Sequence, residues 1–163
     1  MTLGVVSDTH NRIINVEKII DIFNDNNVTS VIHTGDITQG KTLQLFSRLN
    51  CPLIGVYGNN DLKELDLEKV AEVNSFELQK PPLIKNIEGK NIAVFHEPDG
   101  IKDFMKKNSH TDLIFHGHTH RYRNEDIGGV KIFNPGESAG ILQGKNAVGI
   151  VELNTLKIRR IFF

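Results

Sequence analysis

Apolar runs and helix-spaced apolar positions alternate along the first two thirds of the chain. Leu3–Val6 reads as a buried strand, and Val16, Ile19, Ile20 and Phe23 then recur at helical spacing with Glu17, Lys18 and Asp21 on the opposite face. Val31–Ile32 forms a second short run. Thr42, Leu45, Phe46 and Leu49 repeat the helical spacing, and Leu53–Tyr57 supplies a third strand. Strand, helix, strand, helix, strand predicts a parallel sheet with right-handed crossovers. Lys63–Phe76 is charged and only loosely periodic, so no element is assigned there. Leu83–Ile87 and Asn91–Phe95 flank Glu88-Gly89-Lys90 as a hairpin, Ile101, Phe104 and Met105 suggest a short helix, and Leu113–Phe115 is a further strand. After His120 the pattern holds strands without helices, at Val130–Phe133, Ala147–Leu153 and Lys157–Phe163, which predicts an antiparallel final third.

The length, 163 residues, fits one domain over 1–163. A chain of this size buries roughly 70% of its unfolded surface, enough for a core without staples. A net charge of -1 gives no long-range attraction for duplex nucleic acid. The single cysteine, Cys51, excludes an internal disulfide and suits a reducing compartment; beside Pro52 and Leu53 it reads as a small packed residue. The apolar stretch after Met1 runs straight into Ser7, Asp8 and His10, unlike a signal peptide. No segment approaches the roughly 18 apolar residues of a spanning helix. A cytoplasmic enzyme is the expected class.

Chemistry gathers where each apolar run ends. Leu3–Val6 runs into Ser7-Asp8-Thr9-His10, Val31–Ile32 into His33-Thr34-Gly35-Asp36, and Leu53–Tyr57 into Gly58-Asn59-Asn60-Asp61. Ile92–Phe95 ends at His96, and Leu113–Phe115 ends at His116-Gly117-His118-Thr119-His120. Open α/β sheets bind ligands beyond the carboxyl ends of their strands. Asp8, Asp36 and Asn59 offer oxygen donors; His10, His96, His118 and His120 offer imidazole nitrogens. Seven candidate ligands exceed the needs of one zinc site and suit two adjacent cations sharing a carboxylate. Such a pair clamps both oxygens of an in-line displacement at phosphorus. Gly35, Gly58 and Gly117 sit beside candidate ligands, where close backbone approach is required. His118 and His120 would share one side if the segment were extended.

These motifs, in this order, resemble the calcineurin-like metallophosphoesterase superfamily. The downstream turn Asn134-Pro135-Gly136-Glu137-Ser138 is similar to that of its compact prokaryotic branch, the YfcE-like phosphodiesterases. The likeness runs from about residue 3 to residue 153. It implies an α/β fold, a four-layer α-β-β-α sandwich of two mixed sheets flanked by helices. It also implies two divalent metal ions, manganese first among manganese, nickel, iron, zinc, cobalt and magnesium. Asp8, His10, Asp36 and His120 would hold one, and Asp36 would bridge to a second held by Asn59, His96 and His118. A hydroxide bridging the two ions would be the nucleophile, without a covalent Ser or Cys intermediate. Similar proteins suggest a homodimer.

Two departures from the family pattern matter. Many members carry His where this chain has Asn60, and an amide hydrogen-bonds phosphate without donating a proton near neutral pH. That predicts a bias toward small diesters with good leaving groups. Glu97-Pro98 replaces the usual Gly after the fourth ligand, which puts a negative charge beside His96 as a supporting partner, an added ligand or a repulsive group. Asn60 is expected to contact phosphate, and Asp61 to orient the site or cap the following helix. His33 and His116 are expected to pack or support ligands, and His110, Lys106-Lys107 and Arg159-Arg160 to be solvated. Two other functions compete. A protein-docking scaffold like the eukaryotic retromer subunit of this fold need not retain all seven donors. A nuclease for long nucleic acid would need a basic stripe that the sequence lacks.

Overall fold

The computed structural model describes all residues, Met1–Phe163. Strand β1 (Thr2–Val6) is buried along nearly its whole length because it lies inside a six-stranded sheet and receives side chains on both faces. Helix α1 (Ile13–Asp25) leads to β2 (Ser30–His33), helix α2 (Gly40–Leu45) to β3 (Leu53–Val56), and helix α3 (Leu65–Val73) to β4 (Glu77–Gln79). These four strands run parallel, and β10 (Ala147–Glu152) and β11 (Lys157–Phe162) extend the sheet antiparallel beyond β1. The second sheet begins with the hairpin β5 (Leu83–Ile87) and β6 (Lys90–Val94). After helix α4 (Ile101–Lys107) come β7 (Leu113–Phe115), β8 (Arg123–Ile127) and β9 (Val130–Asn134), giving the order β5-β6-β7-β9-β8.

Period-two alternation in the strands produces four layers. One face of the first sheet contributes Leu3, Val5, Ile32 and Val56, which meet Leu83, Val94, Phe115 and Phe133 of the second sheet. Its other face, with Val31, Leu53 and Val148, packs on Val16, Ile19, Ile20 and Phe23 of α1, with Leu43 and Leu67 beside them. The outer face of the second sheet carries Ala93, Phe95, Ile114 and Ile132 against Ile101 of α4. No helix is long and apolar enough to cross a membrane.

Departures from the expected elements have local causes. Helix α3 buries only Leu67 and Ala71, one i,i+4 pair, so its periodicity in Lys63–Phe76 is faint; Asp66 and Glu68 in its first turn favour its positive end. The second helix is shorter than its pattern implies, giving way to a 3₁₀ turn at Phe46–Arg48. Strand β8 is an edge strand with a charged, mostly exposed sequence and no apolar alternation. The final third is not uniformly antiparallel: β9 runs parallel to β7, with Phe115 opposite Phe133.

Two buried histidines lie at the strand ends. His33 is fully buried, with Nδ1 accepting from the Gly35 N–H at 3.1 Å, so its Nε2 carries the proton and donates to Thr9 Oγ1 at 3.1 Å. Burial, reinforced by the positive charge of His96, lowers its pKa from 6.5 to about 3, against Asp36. Burial likewise lowers His116 to about 4. Folded pKa values below the unfolded 6.5 mean that the unfolded chain binds more protons between those limits, so stability falls with pH there. Each group takes up one extra proton on unfolding across its window, so stability falls as the pH falls through it. Denaturant unfolding with a chelator present should show this decline between pH 6.5 and 4. The slope should shrink by one group's share in His33→Asn, which keeps an acceptor for Gly35; an unchanged slope would contradict the assignment.

Candidate metal centre

Parallel pairing aligns the strand ends. Val6 pairs with His33 and His33 with Gly55 in the first sheet, and Val94 with Phe115 in the second. The loops that follow therefore emerge along one edge, where both sheets contribute. Asp8, His10, Asp36, His118 and His120, five of the seven candidate ligands, have positive φ between 43° and 66°. Non-glycine residues rarely occupy this region, and where they do the surrounding structure must hold them there. The loops are fastened to one another by Asp8 N–H to Gly35 carbonyl at 3.1 Å, His10 N–H to Asp36 carbonyl at 2.9 Å, and Gly117 N–H to His96 carbonyl at 3.0 Å. Asp61, 3% exposed, accepts from the backbone N–H groups of Asp36 (2.9 Å), Thr38 (2.6 Å) and Gly58 (2.8 Å).

Close packing explains two glycines. A Cβ on Gly58 would lie 2.1 Å from Asp36 Oδ1, and one on Gly117 would lie 2.0 Å from Ser7 Oγ and 2.9 Å from Asp8 Oδ2. Any side chain at either position would displace a candidate ligand.

The seven donors form two groups joined at the carboxylates. On one side His120 Nε2 is 3.6 Å from Asp8 Oδ1, His10 Nε2 is 3.9 Å from Asp36 Oδ2, and the His10 and His120 rings stack at 5.5 Å. On the other side Asn59 Oδ1 lies 2.9 Å from His96 Nε2 and 3.1 Å from His118 Nδ1, and those two nitrogens are 3.3 Å apart. Asp36 Oδ1 is 3.5 Å from His96 Nε2, so this carboxylate directs one oxygen to each group. Donor atoms of Asp8, His10 and His120, and separately of Asp8, Asp36 and His96, come within 4.8 Å of one another.

The electrostatics call for a cation. His96 Nδ1 donates to the Thr34 carbonyl at 2.8 Å, which turns Nε2 toward Asn59 and Asp36, where it either carries a proton for Asp36 or, in the neutral ring, offers a lone pair to a cation. His10 Nε2 is buried without a hydrogen-bond partner. Burial pushes Asp8 up despite the Ser7 hydroxyl and His120, which pull it down. Burial acts the same way on Asp36, yet the hydrogen bonds from His96 and Asn60 outweigh it and hold the group well below the usual carboxylate range. For His96, burial favours the neutral ring, but Asp36 and the Thr34 carbonyl prevail and raise its pKa. Mixed imidazole, carboxylate and amide donors in this arrangement fit divalent metal ions.

The other expected residues are distributed as follows. Asn60 donates to Asp36 from both its backbone N–H (3.0 Å) and its side-chain amide (2.8 Å), so that amide faces the carboxylate rather than open space. Asp61 organises the two loops, and Glu64, not Asp61, stands at the start of α3. His118 and His120 do not share a side: the turn between them sends each ring to a different group. Burial raises Asp61, against the Gly58 and Thr38 N–H bonds. Arg160 is not a solvated face, since its guanidinium lies 4.3 Å from the Tyr122 ring centre and 4.5 Å from that of Phe162. Asn134 bonds the Gly117 carbonyl (3.1 Å) and the Gly136 N–H (2.9 Å), which secures the turn beneath the histidine loop. Glu137 was not picked out by its spacing. Fully buried, it places Oε2 3.4 Å from His120 Nδ1 and accepts from the Ile141 (3.1 Å) and Leu142 N–H groups. An acidic residue next to a Pro-Gly turn was the only sequence signal for it.

Comparisons with known proteins agree with this geometry. Phosphodiesterase MJ0936 of Methanocaldococcus jannaschii is 32% identical over 163 residues, covering 99% of this chain and 98% of that one. The solved structure of an archaeal phosphodiesterase superposes with a TM-score of 0.91 at 32% identity, covering 100% of both chains. The Escherichia coli phosphoesterase Yfce shares the fold, with a TM-score of 0.66 at 20% identity and coverage of 99% and 98%. So does zinc-complexed Vps29 of Entamoeba histolytica, with a TM-score of 0.70 at 17% identity and 99% of each chain covered. Residues 1–156 match the calcineurin-like phosphoesterase superfamily domain, and with the two-sheet fold and its rim of Asp, Asn and His donors this establishes the chain as a member of that superfamily.

Proposed function

We propose that this protein is a phosphodiesterase that hydrolyses a small phosphodiester with two divalent cations. Asp8, His10, Asp36 and His120 hold one ion, and Asp36, Asn59, His96 and His118 hold the other. The observation that carries this reading is the convergence on Asp36: its two oxygens face His10 Nε2 at 3.9 Å and His96 Nε2 at 3.5 Å, with Asn59 Oδ1 and His118 Nδ1 next to His96, a donor set that suits divalent cations. Retention of all seven donors favours an enzyme over a docking scaffold. Similarity to phosphodiesterase MJ0936 over nearly the whole of both chains supports the reaction class.

When bound, such a pair acidifies water and offsets phosphate charge. The chain's own residues fix the rest. Asn60, exposed and beside Asp36, is the amide closest to hand for a phosphate oxygen once Asp36 is engaged by cations. It supplies no proton, which biases the reaction toward esters with good leaving groups. Asp61 holds the Asp36 and Gly58 loops at fixed separation, and Glu137 fixes the His120 tautomer by accepting its Nδ1–H, leaving Nε2 for a metal. Nitrogen and oxygen donors together suit manganese, nickel, iron, zinc or cobalt better than calcium, with manganese the first candidate. A single free cysteine, Cys51, suits a reducing, cytoplasmic setting.

Purified protein assayed with bis(p-nitrophenyl) phosphate should turn over only with added divalent metal, and elemental analysis should give two ions per chain. Asp36→Ala should fall to background in the same assay; activity equal to wild type would reject the reading. Glu137→Gln retains an acceptor for the 141–142 loop but loses the carboxylate. Its metal affinity by titration calorimetry should weaken by about 10–100-fold, and unchanged affinity would remove Glu137 from the centre.

A further inference from the structure

A cavity of about 290 Å³ adjoins the candidate metal centre on the side of Asn59 and His96, both of which line it. Small-molecule sites run from roughly 300 to 1,000 Å³, so this one suits a single ring-sized group. Its apolar wall consists of Tyr57 and Phe95, both nearly buried, with Leu62 and the Pro81-Pro82 segment. Phe95 packs edge-on against Phe104 with ring centres 5.2 Å apart. Glu97 and Asp99 are the charged residues of the lining, both exposed, and neither Lys nor Arg is among the lining residues. Neither carboxylate has a salt-bridge partner. The departure at Glu97, which the metal site does not use, thus has a place in the molecule.

We propose that this cavity receives one ester group of the substrate, and that Glu97 and Asp99 make it select a neutral or cationic organic group over one bearing further negative charge. The proposal rests on the phosphodiesterase reading. A phosphorus centre held beside Asn59 and His96 has the cavity next to it, and an apolar ring buried there leaves water while its rim faces two carboxylates. A second phosphate or carboxylate on that group meets like charge from two carboxylates that no salt bridge engages. The substrate class is therefore a phosphodiester with one flat, apolar ester group that is uncharged or positively charged. Nucleoside polyphosphates and internal segments of nucleic acid fall outside it.

The test uses three p-nitrophenyl phenyl phosphates whose phenyl ring carries a para trimethylammonium, hydrogen or carboxylate group. The leaving group and the metal centre are constant, so a change in the ratio of kcat/KM for the cationic over the anionic substrate between wild type and a rim variant reads the cavity. That ratio should exceed one for the metal-loaded protein. It should fall by about ten-fold in the Glu97→Gln, Asp99→Asn double variant, the scale of a few exposed charge contacts, and fall further in Glu97→Lys. A double-variant ratio within two-fold of wild type overturns the proposal, and because it is a ratio it is independent of the active fraction. Absence of turnover with all three substrates rejects the phosphodiesterase reading instead. The cavity is then judged by titrating phenyltrimethylammonium and benzoate into labelled protein without added metal. Amide shifts at Leu62 and Gly100 with the cation, lost in the double variant, support it. No shift with the cation, or equal shifts with both ions, overturn it.

Discussion

A single carboxylate ties the two sheets together chemically. Asp36 follows β2, and its oxygens face His10 on one side and His96 on the other, one ligand from each sheet. Its carbonyl accepts from His10, its N–H donates to Asp61, and Asn60 donates to it twice. Without a cation this arrangement concentrates negative charge and lone pairs in a nearly buried place, which is costly unless paired. The fold tolerates it because backbone bonds hold the loops, and positive charge at this place, from a proton on His96 or from a bound cation, offsets the cost.

The strain follows the same logic. Left-handed backbone at Asp8, His10, Asp36, His118 and His120 costs energy that an ordinary loop would relax. Relaxation is blocked by packing: Gly58 and Gly117 press against Asp36 and Asp8 with no room for a Cβ, and Asp61 holds three N–H groups at once. Rigidity of this kind sets donor positions before any ion arrives, the preorganisation that metal and phosphate chemistry both need. Around this core lies a supporting layer without metal-ligand geometry of its own. His33 joins the Thr9 and Gly35 loops, and Glu137 ties His120 to the 141–142 segment. Selectivity belongs to a third zone, the apolar cavity rimmed by Glu97 and Asp99, which shares Gly58, Asn59 and His96 with the centre. Chemistry and recognition can therefore vary separately, since changing the rim leaves Asp36 and its partners in place.

The sequence by itself determined the alternation of strands and helices and the seven donors at five strand ends, because apolar periodicity and short polar motifs are local properties of the chain; the four-layer class came from the resemblance those motifs carry. Strands β4 and β8 and helix α3 escaped notice because edge strands and a helix with one buried pair carry little apolar pattern. Only the tertiary structure decided that His118 and His120 part company, that Asn60 turns toward Asp36, that Arg160 lies between two aromatic rings, and that buried Glu137 stands behind His120. Each of those depends on which residues distant in the chain arrive at the same point. Contacts of that kind are set by how two twisted sheets pack, and no spacing along one strand records them.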